Sequence, residues 1–138
     1  NQHMKKHFRL PRYNYWNNMR TRKSDIMGEL SDEECIPCKG GVPPLSNSEM
    51  DGLLTKIHQD WQIVDRHHLF RVWSFDDFQS ALQFTNLVGE ICEQQNHHAN
   101  FELSWGKVSA QIWTHKIDAL VEADFILAAK FDQVALKS

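Results

Sequence analysis

The sequence has no long hydrophobic run, few cysteines and no glycine-rich phosphate loop. No stretch of about 18 consecutive apolar residues occurs in the 138 residues, so no membrane partner is expected. Three cysteines, an odd number, fit a reducing compartment better than a disulfide framework, which favours a cytoplasmic protein. No dinucleotide fingerprint or nucleophile elbow is present. The sequence therefore argues against secreted scaffolds, nucleotide-binding enzymes and nucleophilic hydrolases.

Acidic residues are missing from the first 24 positions, which hold seven lysines and arginines, and Asp25 is the first carboxylate. Such a start is typical of an organelle transit peptide, a nucleic-acid arm or a non-native leader, and all three stay open. The whole chain has a net charge of -3, so nucleic acid is not an expected partner. We predict an irregular basic extension over residues 1–32 and one domain over residues 33–138.

The segment Cys35-Ile-Pro-Cys38 has the spacing of half a zinc site or of a redox motif. A zinc site would need two more ligands, and Cys92 is the only other thiol, expected in the core. Pro37 and the glycines that follow do not suit the strand and helix of a thioredoxin-like motif. A structural role, a metal site with added histidines and a redox role remain open for this arm.

Hydrophobic periodicity predicts three helices and two β-hairpins between residue 46 and the C-terminus. The order αββαββα implies an α+β fold, a two-layer sandwich in which a four-stranded antiparallel sheet has helices packed on one face. The predicted elements are a helix capped at Ser46, strands 61–64 and 69–75, a helix from Asp76 to about residue 95, strands 101–105 and 108–115 around a tight turn at Gly106-Lys107, and a helix from Asp118.

Histidines gather where the second predicted helix ends and the second hairpin closes. Glu93 lies about one helical turn before His97 and His98, and the hairpin should return His115 to their level. A polar turn, an improvised metal site and metal-free acid–base catalysis all fit this spacing, and histidine suits the last because it titrates near neutral pH. A second pair, His67-His68, has no acidic or cysteine partner at ligand spacing and is expected in a solvent-exposed loop.

The arrangement Glu93-x-x-x-His97-His98, followed by Trp105, His115 and Asp124, resembles the signature of the pterin-4a-carbinolamine dehydratase family. The resemblance covers about residues 33–134. Residues 35–45 resemble the leader of bacterial members, and residues 124–130 resemble the start of the last helix. The central pattern of the family is matched by Trp61, Arg71-x-Trp-x-Phe75 and Asp77-Phe78.

Membership would imply dehydration of 4a-hydroxytetrahydrobiopterin to quinonoid dihydropterin and water, without metal or cofactor, in recycling the pterin of aromatic amino-acid hydroxylases. His97, His98 and His115 would transfer the protons. Glu93, Asp124 and Trp105 would support the pocket, and the protein would form homodimers or homotetramers. The residue after the histidine pair is usually proline and here is Ala99, and Asn100, Ala119 and Val121 also depart from the pattern.

A second hypothesis keeps the same scaffold without catalysis. Some relatives resemble transcriptional cofactors or assembly proteins, and the basic extension and the missing proline at Ala99 motivate that interpretation here. Full activity in the absence of any partner would argue against it.

Overall fold

The computed structural model describes residues 29–35 and 42–137, and it confirms the predicted αββαββα order. A short 3-10 helix precedes these seven elements. No helix in the described ranges is long and apolar enough to cross a membrane. The elements are the 3-10 helix Leu30–Asp32, α1 Asn47–Leu54, β1 Gln62–Val64, β2 His68–Ser74, α2 Phe78–Gln95, β3 Asn100–Ser104, β4 Lys107–Ile112 and α3 Glu122–Lys137.

The first two helices begin where their capping residues predict. Ser46 Oγ accepts a hydrogen bond from the Glu49 N–H at 3.2 Å, and Glu49 Oε1 accepts one from the Ser46 N–H at 2.8 Å. This capping box satisfies backbone donors that the first turn of α1 leaves free. At α2 the carboxylate of Asp77 accepts from the Ser80 N–H at 2.8 Å, so the predicted start is confirmed.

The four strands form one antiparallel sheet in the order β1-β2-β4-β3. Alternate residues of the two central strands are buried against the helices, as the period-2 pattern predicts. The pair Arg71 and Ala110 lies on this inner face, whereas Val72 on the opposite face is exposed. The predicted two-layer α+β sandwich is therefore confirmed, and β1 and β3 are its edge strands.

The second hairpin and the last helix have boundaries that differ from the predicted ones. The turn of the second hairpin is Trp105-Gly106, one residue earlier than expected, with Gly106 at φ +69 and packed against the Phe75 carbonyl. The last helix begins at Glu122 rather than Asp118. Asp118 has a left-handed φ of +54, which an α-helix does not allow, so the chain makes an extra turn first.

A buried carboxylate on α3 ties the helix layer to the sheet. Asp132 Oδ1 accepts from the Arg71 guanidinium at 2.6 Å and from the Trp61 indole N–H at 2.7 Å, and its Oδ2 accepts from the His58 N–H at 2.9 Å. Arg71 also lies 4.9 Å from the centre of the Trp73 ring. Burial raises the pKa of the Asp132 carboxyl, and the three donors oppose that rise.

The segment before α1 contributes to the same core. Leu30 and Ser31 are buried against α3, and Lys130 Nζ donates to the Ser31 carbonyl at 2.9 Å. This short helix lies within the stretch that the sequence assigned to the extension. Cys38 and the glycines after it lie outside the described residues.

We expect Asp132→Ala to lower the free energy of unfolding by about 3–5 kcal/mol, because it removes the hydrogen-bonded carboxylate of the buried Arg71 and leaves only Asp60, at 3.9 Å. The control is Asp51→Ala, which removes an exposed ion pair with Arg66 and should cost less than about 1 kcal/mol. Urea denaturation of both variants measures the difference. Equal losses in the two variants would contradict this prediction.

Candidate functional site

The end of α2 presents Glu93, His97 and His98 through a tight reversal of the chain. Asn96 takes the left-handed conformation at φ +52. Its N–H donates to the Glu93 carbonyl, and the His97 N–H donates to the Cys92 carbonyl at 3.1 Å. These two bonds form a Schellman motif, which ends the helix and fixes the direction of the next residues. The predicted helix end and its delivery of both histidines therefore have a local cause.

Asp124 is the buried centre of the site. Its side chain has no exposed surface. Oδ1 lies 2.6 Å from His97 Nε2, and Oδ2 accepts from Thr114 Oγ1 at 2.9 Å and from the Val121 N–H at 2.8 Å. The bond to Val121 is one half of a capping box at the start of α3, and valine cannot supply the other half. The Asp124 carboxylate thus links α3, the loop after β4 and His97.

His98 and Glu93 form a second imidazole–carboxylate pair, on the surface. His98 Nε2 lies 2.5 Å from Glu93 Oε2, and both side chains are more than half exposed. The two histidines therefore differ in setting although they are adjacent in sequence. His97 faces a buried carboxylate, and His98 faces a solvated one.

His115 lies in a turn and not on the strand as expected, because β4 ends at Ile112. Thr114 and Ala119 pair across this turn, and the Asp118 N–H donates to the His115 carbonyl. The His115 ring packs on Trp113 with 4.5 Å between centroids.

A cavity of about 240 Å³ lies between the end of α2 and this turn, and it brings all three predicted histidines together. The other lining residues were not predicted as site residues, and each is a near neighbour in sequence of one of these histidines. The lining consists of Asn96, His97, His98, Trp113, Thr114, His115 and Lys116.

Trp105 is not part of this cavity. It lies in the turn at the other end of the second hairpin and is 71% exposed. Five extended residues, about 17 Å, separate it from Asn100 next to the histidine pair. Within one chain the structure does not bring Trp105 to the other predicted site residues.

The prediction of a solvent-exposed loop for His67-His68 is wrong, because both residues are half-buried and His68 begins β2. His67 Nε2 lies 2.7 Å from Asp118 Oδ1, and the Nδ1 atoms of the two histidines are 3.0 Å apart. Both rings pack on Trp113. Asp118 is 51 residues away in sequence, so local spacing carries no signal of this contact.

No group of three or more potential metal ligands occurs among residues 29–35 and 42–137. Cys35 is buried, its N–H donates to the Gln95 side chain at 2.9 Å, and its Sγ is 3.5 Å from the Ala123 carbonyl oxygen. Burial raises the pKa of the Cys35 thiol to about 12. Cys92 is buried too, as predicted, and its pKa is raised for the same reason. The described thiols therefore have the character of core residues.

The geometry suits proton transfer. Each carboxylate accepts a hydrogen bond from Nε2 of its histidine, so Nδ1 of a neutral His97 or His98 carries the lone pair. An ionised carboxylate only accepts, which fixes this tautomer. The cavity thus offers a small molecule two oriented imidazoles and a third in the turn above Trp113.

We expect both described thiols to be unreactive in the folded protein. In a Cys38→Ser variant, Ellman's reagent at about pH 8 should modify neither Cys35 nor Cys92, since a pKa near 12 leaves only about 10⁻⁴ of Cys35 as thiolate. Both should react once guanidinium unfolds the chain. Reaction of Cys35 before unfolding would contradict the prediction.

Comparison with known proteins identifies related chains. The family model described as pterin 4 alpha carbinolamine dehydratase matches residues 43–134. A Rubrobacter xylanophilus protein provisionally named pterin-4-alpha-carbinolamine dehydratase is 48% identical over 108 residues, which is 78% of this chain and 100% of that protein. An Alkaliphilus metalliredigens protein with the same provisional name is 44% identical over 107 residues, 78% of this chain and 96% of its own length.

A solved structure shares the architecture. The crystal structure described as a transcriptional coactivator/pterin dehydratase from Brucella melitensis superposes with a TM-score of 0.63 and 29% sequence identity. The match covers 67% of this chain and 99% of the Brucella chain.

Proposed function

The chain belongs to the pterin 4 alpha carbinolamine dehydratase family, and on that premise we propose that it dehydrates 4a-hydroxytetrahydrobiopterin to quinonoid dihydropterin and water. The observation that carries the proposal is the cavity lined by His97, His98 and His115, with two of these imidazoles held by carboxylates. Acid–base groups of this kind match what the reaction requires.

The dehydration moves two protons and breaks the carbon–oxygen bond to the 4a-hydroxyl. A ring nitrogen of the pterin loses a proton, the electron pair forms a carbon–nitrogen double bond, and the 4a-hydroxyl leaves after taking up a proton to become water. One neutral imidazole accepts the first proton and one imidazolium supplies the second. The net charge of the enzyme does not change, and its starting protonation state returns once a proton passes from the first imidazole to the second.

Asp124 orients His97 for this chemistry. Its carboxylate holds the Nε2–H, so the Nδ1 lone pair of the neutral ring is the base that remains for the cavity. Thr114 and the Val121 N–H fix the other oxygen of the carboxylate, which prevents it from turning away. Glu93 orients His98 in the same manner at the surface.

The missing proline after the histidine pair does not leave this turn unsupported. The Schellman bonds at Asn96 and His97 hold the chain before it, and Asn100 pairs with Gln111 as the first residue of β3. Ala99 packs against the core between them. The turn is therefore fixed on both sides, which supports a working site.

The proposed setting is the recycling of the pterin used by an aromatic amino-acid hydroxylase, by a homodimer or homotetramer. The open edge strands β1 and β3 support self-association, because unpaired strand edges can pair with a second copy.

Replacing the histidines one at a time tests the proposal. Wild-type protein should speed the decay of freshly generated 4a-hydroxytetrahydropterin, followed by ultraviolet absorbance. We expect His97→Ala, His98→Ala and His115→Ala to lower kcat, with a loss of about 10²–10⁴-fold for a group that transfers a proton. His58→Ala serves as the control because His58 borders a different cavity. Decay no faster than in buffer alone would contradict the proposed function.

Asp124→Asn tests the orientation of His97 separately. The amide oxygen can keep the bonds to Thr114 and Val121, while its NH2 group would face His97 Nε2 and favour the wrong tautomer. We expect a folded protein with a large fall in kcat and little change in KM. Steady-state kinetics measure kcat and KM, and circular dichroism checks that the variant is folded. Wild-type kcat in this variant would show that the tautomer of His97 is unimportant.

A further inference from the structure

A single hydrogen bond joins the turn that carries His115 to the turn between β1 and β2. It runs between His67 Nε2 and Asp118 Oδ1, at 2.7 Å. Asp118 is the last residue of the His115 turn, and neither His67 nor Asp118 is among the residues that line the cavity. The bond therefore acts on the site from outside.

The backbone around this bond is strained. Asp65 and Arg66, which form the β1–β2 turn, and Asp118 each have φ near +54. Residues with a Cβ adopt this region at a cost, and such conformations persist where surrounding contacts hold them. Asn96, next to His97, is the only other non-glycine residue with positive φ in the described part of the chain. Each described non-glycine residue with positive φ thus lies in a turn near His67, His97 or His115.

Trp113 connects His67 with the wall of the cavity. Its ring lies 5.2 Å from the His67 ring, 5.8 Å from the His68 ring and 4.5 Å from the His115 ring, measured between centroids. Trp113 and His115 line the cavity. The rings of His67 and His68 pack against Trp113. A shift of His67 would therefore move one wall of the cavity.

Charge fixes the direction of the hydrogen bond between His67 and Asp118. Asp118 only accepts, so His67 donates from Nε2. The Nδ1 of His67 lies 3.0 Å from His68 Nδ1, within hydrogen-bond distance. Burial lowers the pKa of His68, and His67 lowers it further, while Asp65 acts in the opposite sense.

We propose that Asp118 and His67 are positioning residues for the dehydration, holding the His115 turn and the Trp113 wall in one orientation toward the substrate. The inference rests on the proposed function for its catalytic consequence. The geometric part, that the bond fixes His115, stands independently of activity.

The chain supplies a matched control in the same β1–β2 turn. Arg66, the neighbour of His67, pairs with Asp51 on α1 at 2.8 Å. Both pairs link this turn to another element through an exposed carboxylate. Only the pair of Asp118 and His67 leads to the cavity, so only its loss should affect catalysis.

The test compares Asp118→Gly, Asp118→Asn and Asp51→Ala. Glycine keeps the left-handed backbone of the turn and removes the bond, whereas asparagine keeps both the backbone preference and an acceptor oxygen. We expect Asp118→Gly to lower kcat by about 10-fold with KM unchanged, since misplaced catalytic groups can cost up to about 10²-fold. Asp118→Asn should restore most of the rate, and Asp51→Ala should match wild type.

A second readout does not depend on turnover. The His115 C2–H resonance, assigned with a His115→Gln variant, should be sharp in wild type, Asp51→Ala and Asp118→Asn, and shifted or broadened in Asp118→Gly. An unchanged resonance and unchanged kcat in Asp118→Gly would overturn the proposal, as would an equal loss of kcat in Asp51→Ala. If wild type shows no dehydration, the proposed function fails, while the resonance still decides whether Asp118 positions His115.

Discussion

The buried carboxylate of Asp124 is the contact on which the site depends. A fully buried carboxylate is costly unless hydrogen-bond donors surround it, and here Thr114, the Val121 N–H and His97 supply three hydrogen bonds. The same three partners come from the loop after β4, the start of α3 and the end of α2. Satisfying the charge therefore assembles the cavity wall as a consequence.

The last helix carries a second buried carboxylate with a different task. Asp132 lies two turns after Asp124 and binds Arg71 and Trp61, which secures β2 and the chain before β1 against α3. One helix thus organises both layers, with its N-terminal turn serving the site and its middle serving the core. Because the two groups use separate partners, the site can be altered while the scaffold is kept.

The sequence by itself determined the fold and the grouping of His97, His98 and His115. Capping residues such as Ser46 and Asp77 act within one turn of the chain, and the strand and helix periods report burial on one face, so local patterns were sufficient for both. The spacing of Glu93, His97 and His98 follows from one helix end. A hairpin returns to its starting level, so the sequence also places His115 near His97 and His98, and all three line one cavity.

Only the tertiary structure decided how these residues are held. It showed that His115 lies in a turn, that Trp105 is remote in the single chain, and that His67 has a partner in Asp118. Helix and strand patterns arise from neighbours along the chain. The bonds of Asp124 to His97 and of Asp118 to His67 span 27 and 51 residues. Contacts at that separation depend on how elements pack, because short-range spacing contains no information about which distant turn will face a given side chain.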